Sequence, residues 1–203
     1  MAINFTRMKV RITFTEEALG TASSNETIYS DFIGSKAPDA ASLAEEVAAL
    51  GAEEITEKGT TVFPRTEDGQ PMFWDYQIKG MLKGTGAFLY KVPGSEVSKI
   101  KAYKKNIDGL IFVYPRQIPI HLPDGAEIGI CERPLRAQTA QGDRVALARS
   151  ETVPAGSWFE CEIEVAQDSL WPFVRECLDY GERTGIGQWR NSGKGRFRWE
   201  EIE

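Results

Sequence analysis

The sequence predicts an α+β fold in which an antiparallel sheet carries helices on one face. Three observations predict it. Segments with strand alternation open and close the chain, two segments with helical periodicity lie between them, and clustered turn residues separate further alternating runs. The 203 residues are 41% hydrophobic and 27% charged, an ordinary globular composition. That is enough chain to bury a core without disulfide or metal staples.

Residues 8–14, MKVRITF, alternate apolar and polar side chains and are rich in β-formers, which makes them a first strand. A loop follows through Gly20 to Asn25. Ala40 to Leu50 is rich in alanine and glutamate with Asp39 as N-cap, hence a short helix. From Asp39 to Glu57 there are six acidic residues and no basic one, either a solvated face or an acidic docking surface. Thr61 to Pro64 reads as a short strand before a turn at 67–71. Trp74, Ile78, Met81 and Leu82 have helical spacing and place a second helix over 73–83, with Lys79 and Lys83 beside its buried stripe. Ser98 to Lys105 carries Lys99, Lys101, Lys104 and Lys105 around Tyr103, either a solvated basic face or a phosphate-contacting surface. Ile107 to Tyr114 is a strongly apolar strand.

Between 117 and 155, turn signals at Pro123-Asp124-Gly125, Gln141-Gly142-Asp143 and Pro154-Ala155-Gly156 predict hairpins, with His121 at the end of one strand. Trp158 to Val165 is the cleanest strand. Its polar face is Glu160, Glu162 and Glu164, so that face is wet or covered by something basic. Ser169 is placed to cap a helix through Phe173, Val174, Cys177 and Leu178, with Pro172 tolerated in the first turn. A glycine-rich loop leads to a closing strand at Arg196 to Trp199. With insertions at about 20–70 and 117–155 set aside, the order is β-α-β-β-α-β, the ferredoxin-like (split βαβ, RRM-like) motif, within a single domain of residues 1–203.

A net charge of −6 excludes a surface coated with basic residues. Three cysteines (Cys131, Cys161, Cys177) without a CxxC spacing indicate neither a disulfide framework nor a zinc site, so reduced thiols and a cytoplasmic location are expected, with no metal and no cofactor. Ser–His–Asp chemistry, Cys–His chemistry and His-pair metal sites all need an imidazole, and His121 is the single one, on a predicted hairpin strand where a structural role fits best. No apolar run approaches the roughly 18 residues of a membrane span. The N-terminus, MAINFTRMKV, lacks the apolar segment of a signal peptide.

Gly185 to Gly195 reads GIGQWRNSGKG: Gly185, Gly187, Gly193 and Gly195 flank Gln188, Trp189, Arg190, Asn191 and Ser192, between a helix and the last strand. Glycine permits positive φ and lets the backbone approach a ligand closely. Successive N–H groups in such a loop form an anion nest. The dinucleotide fingerprint has the opposite topology, and Gly195 after Lys194 excludes a Walker loop. From Arg183 to Trp199 there are five basic residues (Arg183, Arg190, Lys194, Arg196, Arg198) and no acidic one. Trp189, Phe197 and Trp199 are interleaved with them. Cations pair with phosphates, and aromatic faces stack on unpaired bases for about 1–3 kcal/mol each. Phe197 and Trp199 suit the core, which leaves Trp189 as the stacking candidate.

GIGQWRNSGKG resembles the G-h-G-x5-G-h-G-type loop of the RAMP superfamily, the RNA-binding proteins of CRISPR systems, with Lys194 where a hydrophobic residue is usual. Thr152 to Glu160 resembles the V-P-A-G-x-x-F segment of the backbone subunits of CRISPR effector complexes. Tyr76 to Lys83 is similar to their S-L-K-G-x-h-R helix start, with Gln77 and Ile78 in place of Ser and Leu. The chain also resembles an uncharacterised group of bacteriophage and prophage proteins. The resemblance implies a ferredoxin-like fold that contacts RNA through Gly185, Gly187, Gln188, Trp189, Arg190, Gly193, Lys194, Gly195 and Arg196, with Lys79 and Lys83 on the helix. Its implied partners are single-stranded RNA, CRISPR effector subunits, or further copies along RNA, and no membrane.

The RNA-processing branch of that superfamily cleaves with a general base, commonly a histidine near the first helix, and this sequence has none there. Tyr29, Tyr76, Lys79 and Lys83 are not singled out for the acid and base roles that cleavage needs. Effector subunits that cut RNA use a loop aspartate and a metal; Asp31 and Asp39 lie in the matching region without a motif. The expectation is therefore a non-catalytic, single-stranded-RNA-binding RAMP-like protein that acts on or mimics a CRISPR effector subunit, or assembles along RNA. The alternatives are a metal-independent endoribonuclease of the RNA-processing kind, and a protein-binding module that docks through its acidic segment. Of the net −6, residues 183–199 contribute +5 and the remainder −11, an acidic body with one basic edge.

Overall fold

In Thr6–Phe14, strand β1, Met8, Val10, Ile12 and Phe14 are buried while Arg7, Lys9 and Arg11 stand on the opposite face, as alternation dictates. The computed structural model describes residues 4–23, 60–139 and 142–203. The predicted helix at 40–50, the acidic run 39–57, Tyr29 and Asp31 lie outside them. Two compact units are present, the first comprising Met1–Ala18, Pro64–Glu127 and Val153–Glu203.

In this first unit β1 is flanked on one side by β10 (Trp158–Val165) and on the other by β11 (Phe197–Ile202), and β10 pairs with β6 (Ile111–Tyr114). All three pairings are antiparallel and the order is β11-β1-β10-β6. Helix α1 (Asp75–Leu89) lies between β1 and β6 in the chain, and α3 (Trp171–Thr184) joins β10 to β11. This is the predicted α+β, ferredoxin-like order with the apolar face of the sheet under the helices.

That face holds Phe14, Phe159, Cys161, Ile163 and Phe197, all buried. Strands β5 (Met72–Trp74) and β7 (Gln117–Pro119) pair antiparallel and bring in Phe73. Its ring centroid lies 6.3 Å from Phe14 and 5.4 Å from Phe159, which are 5.9 Å apart, in edge and tilted arrangements favoured by aromatic quadrupoles.

Three boundaries differ from the sequence reading. The second helix begins at Asp75 because Met72–Trp74 are committed to pairing with β7; Gln77 Oε1 then accepts the Trp74 N–H at 2.8 Å and satisfies one donor at the helix start. Ile107 belongs to helix α2 (Tyr103–Leu110), not to the following strand: Tyr103 and Ile107, one turn apart, are both buried, and extended pairing begins only at Ile111. Ser169 lies in a short 3₁₀ turn, Asp168–Leu170, and does not cap α3, whose first turn does contain Pro172.

The second unit comprises Leu19–Phe63 and Ile128–Thr152. Its sheet runs β2 (Ala18–Leu19), β9 (Gly142–Val153), β4 (Thr61–Val62), β3 (Ala22–Ser23), and β8 (Gly129–Thr139) pairs with β9 from Gly129↔Thr152 to Thr139↔Gly142. Thr61 and Ser150 hydroxyls meet at 2.7 Å where β4 runs parallel to β9, and Arg133 donates to Ser150 at 3.1 Å. The hairpin predicted around residues 141–143 is this β8–β9 pair. The turn at 123–125 closes no hairpin, because β7 pairs with β5 and His121 bridges to Trp158.

The helix-free face of the first unit's sheet answers what covers Glu160, Glu162 and Glu164: the basic residues of β1. Arg7 bonds Glu164 at 2.7 Å and Glu162 at 3.2 Å; Lys9 and Arg11 bond Glu160 at 2.9 and 2.5 Å. The Arg11 guanidinium lies 4.5 Å from the Trp158 ring, on which His121 stacks at 4.2 Å. Lys9, then Arg11, hold the Glu160 carboxyl below the usual carboxylate range by hydrogen bonding to its ionised form. Burial pushes the Cys161 and Cys177 thiols up to about 12. Among the described residues no helix is long and apolar enough to cross a membrane.

Two outcomes are expected. Because the folded carboxyl of Glu160 ionises below its unfolded value of about 4.3, its contribution is present above that pH and disappears as pH falls through the folded value. Glu160→Gln should therefore lower the urea midpoint at pH 7, and the gap to wild type should close on acidification. In native protein a thiol reagent should modify half-buried Cys131 well before Cys161 and Cys177, and all three together only in denaturant.

Candidate functional site

The loop after α3 is closed at its neck by backbone. Ile186 N–H donates to the Gly195 carbonyl at 3.0 Å, and Gly195 N–H donates to the Glu17 carbonyl, just past β1, at 2.8 Å. Gly195 has φ +71°, and a β-carbon there would stand 1.9 Å from the Ile186 carbonyl oxygen. On Gly185, φ +72°, it would stand 2.7 Å from the Lys194 carbonyl oxygen. These glycines are required by the approach of the chain to itself. Lys194 Nζ adds an ion pair to the Glu17 carboxylate.

Between the necks, Trp189 adopts φ 54°, ψ 33°, followed by a 3₁₀ turn over Arg190–Ser192 that ends at Gly193. A left-handed tryptophan costs about 1–2 kcal/mol, a strain that the closed neck holds in place. The loop then forms one wall of a groove of about 750 Å³. Gly187, Gln188, Trp189, Arg190, Asn191 and Arg196 line it, together with Arg183 and Thr184 at the end of α3 and Phe88 of α1.

Among the described residues no carboxylate lines this groove. Arg183 donates to the Asp179 carbonyl at 3.1 Å. Arg190 lies over Gly84 of α1, 3.7 Å from where a β-carbon would stand. Among the described residues no acidic side chain pairs with Arg183, Arg190 or Arg196. The other two cations of the 183–199 run are neutralised within the chain, Lys194 by Glu17 and Arg198 by Glu182 at 2.6 Å. Phe197 is buried in the core, and Trp199 donates its indole N–H to Asp179 at 2.9 Å.

Of the residues singled out by sequence, Gly187, Gln188, Trp189, Arg190 and Arg196 come together in the groove, while Gly185, Gly193, Gly195 and Lys194 shape the loop that presents them. Lys79 and Lys83 sit apart from them, one turn apart on α1. Lys79 Nζ donates to the Asp108 carbonyl at 3.2 Å, and Lys83 pairs with the Asp108 carboxylate. Burial pulls the Lys79 ammonium below its ordinary value, against the opposing pull of Asp108.

Phe88 was absent from the sequence reading. It is 58% exposed, with its ring 6.3 Å from Tyr180. It lies off the buried stripe of a helix expected to end at 83; carrying the helical period on to 89 sets Gly84 and Phe88 one above the other, facing the loop. Arranged this way, the arginines offer forked donors suited to phosphate oxygens, and the two rings offer faces suited to unpaired bases.

No family model matches the chain, and no curated protein matches it. Among solved structures, a chain in the cryo-EM structure of the Type III-B Cmr-beta bound to cognate target RNA is similar, with a TM-score of 0.55 and 12% sequence identity over 98% of this chain. The match covers 61% of that chain, so the present chain spans less than two thirds of its length. A chain of a Type IV-B CRISPR complex gives a TM-score of 0.48 at 12% identity, over 97% of this chain and 90% of its own. At this identity the first likeness shows a common fold.

The neck makes a clear prediction about glycine. Gly195→Ala should destabilise the protein by more than the about 1–2 kcal/mol of left-handed strain, because the added methyl overlaps backbone. Gly193→Ala, φ +85° with its nearest neighbour atom at 3.6 Å, should cost the strain alone. Chemical denaturation of the two variants side by side checks the order.

Proposed function

We propose that this chain binds single-stranded RNA in the groove beside its glycine loop and does not cut it. The observation that carries the reading is the lining: three arginines without a carboxylate, two aromatic rings and a close backbone approach. Single strands suit it because stacking on Trp189 and Phe88 needs bases that are not already paired and stacked. Forked guanidinium donors supply the phosphate contacts. The net-acidic remainder of the chain favours contact confined to cationic patches over binding across the whole surface. The shared fold with a chain whose complex is bound to target RNA supports the same reading. In cellular terms the protein acts on, or takes the place of, a subunit of a CRISPR effector complex, or assembles along RNA.

Fluorescence anisotropy with labelled single-stranded and duplex RNA tests this directly. Wild type should prefer the single strand. Arg190→Ala and Arg196→Ala should each reduce the salt slope by about 0.7, equivalent to about fivefold in affinity at 0.1 M salt. Trp189→Gly, which relieves the left-handed strain, should keep the fold yet lose the about 1–3 kcal/mol of one stacked base. Absence of binding at low salt, or affinity unmoved by these variants, overturns the proposal. Shortening of the RNA during incubation overturns its non-catalytic part.

A further inference from the structure

A second cluster of cations sits beyond the C-terminal end of α1. Lys91 N–H donates to the Phe88 carbonyl at 3.1 Å, which sets Lys91 one turn past a residue that walls the groove. The chain then passes through a 3₁₀ turn at Val97–Lys99 into α2, whose first turn contains Lys104 and Lys105. This segment is firmly seated. Val97 is buried and its N–H donates to Glu176 of α3 at 3.0 Å. The Tyr103 ring lies so close to α1 that a β-carbon on Gly86 would meet it at 3.1 Å.

Lys91, Lys99, Lys101, Lys104 and Lys105 are all exposed, and Glu96 neutralises only Lys99, at 2.6 Å. The other four pair with no acidic side chain among the described residues. These four lysines add no ion pair to the fold. Lys104 and Lys105 face the positive end of the α2 dipole and oppose it. In a chain of net charge −6, four unneutralised lysines in so short a stretch form a cationic patch suited to an anion. Beside them Tyr90 is 49% exposed, its ring tilted against that of Tyr103 at 5.3 Å, so the patch combines cations with an aromatic face, as the groove does.

We infer that this lysine cluster is a second RNA-contacting surface, which takes up the strand as it leaves the groove past Phe88. The inference rests on the groove reading, because continuity at Phe88 and Lys91 is what favours the same strand over an acidic protein. Its contacts are to phosphate and sequence-independent, with Tyr90 as the one stacking platform. The groove then positions the strand, and the lysines add affinity that grows with length.

Two RNAs separate the surfaces: an oligonucleotide of about 4 nucleotides that fills only the groove, and one of about 16 that runs beyond it. Wild type should bind the longer one more tightly and with the steeper salt slope. Lys104→Gln/Lys105→Gln should weaken the longer RNA by about 5- to 25-fold at 0.1 M salt, at about 0.7 slope units per lost contact, and leave the shorter one unchanged. Lys91→Gln/Lys101→Gln, outside α2, should do the same, and thermal melts should show both variants folded. Equal affinity of wild type for the two lengths, unchanged binding of the longer RNA, or equal loss on both overturns the inference. An acidic protein as the true occupant appears as the unchanged case. Failure of wild type to bind either length instead overturns the groove reading itself.

Discussion

The alternation of β1 is the constraint on which the first unit depends. Its even-numbered side chains, Met8 through Phe14, lie in the core, and its odd-numbered cations neutralise the glutamates of β10. As the central strand it also sets the register of β10 and β11. The residues just past its end then hold the glycine-rich loop. Thr15 and Glu16 N–H groups donate to the Arg196 carbonyl, Glu17 accepts from Gly195, and the Glu17 carboxylate takes Lys194. A one-residue slip of this strand exchanges its two faces. It therefore removes the core, exposes an unneutralised acidic sheet and detaches the loop together.

Charge is redistributed by folding in a way that the net value hides. Two of the five cations in 183–199 are consumed by Glu17 and Glu182, and the three that remain converge on one groove. The three cations of β1 are matched by three glutamates, so the open sheet face, with Trp158 and Tyr114 under Arg11 and Arg7, carries little net field toward a phosphate strand. Exposed ion pairs of this kind contribute little stability each. Their larger effect is exclusion: they confine anion contact to the loop side of the unit.

Much of this was legible in the sequence because periodicity reports which side of an element is buried. Residues 8–14, 158–165 and the helix through Phe173 and Leu178 each show an undisturbed period and lie where they were expected. The misreadings occur where a short apolar run fits two periods. Ile107 to Tyr114 reads as strand by apolarity, yet Tyr103 and Ile107 are one helical turn apart and that pairing wins up to Leu110. Trp74 fits the helical stripe of α1 and Phe73 falls within its predicted bounds, but a partner strand distant in sequence claims their backbone. Neither the pairing of Lys194 with Glu17 nor that of Lys83 with Asp108 has any local signal, since each joins elements that only the tertiary fold brings together. Phe88 was missed for a related reason: its role depends on a loop a hundred residues later in the chain.

The two lysines of α1 show how the same motif can be redirected by its neighbours. Tyr76 to Lys83 resembles an RNA-contacting helix start, but here Asp108 of α2 engages both lysines. An anion approaching Lys83 has to displace a carboxylate already in contact. On the face of α1 turned toward the loop, Gly84 leaves room for Arg190 and Phe88 is bare on its outer side. The difference favours the loop-facing side of the helix for an anion on electrostatic grounds, because an unneutralised guanidinium gains more from one than an ammonium already paired. The glycine loop, held by backbone at its neck, thus determines which side of α1 carries unneutralised cations.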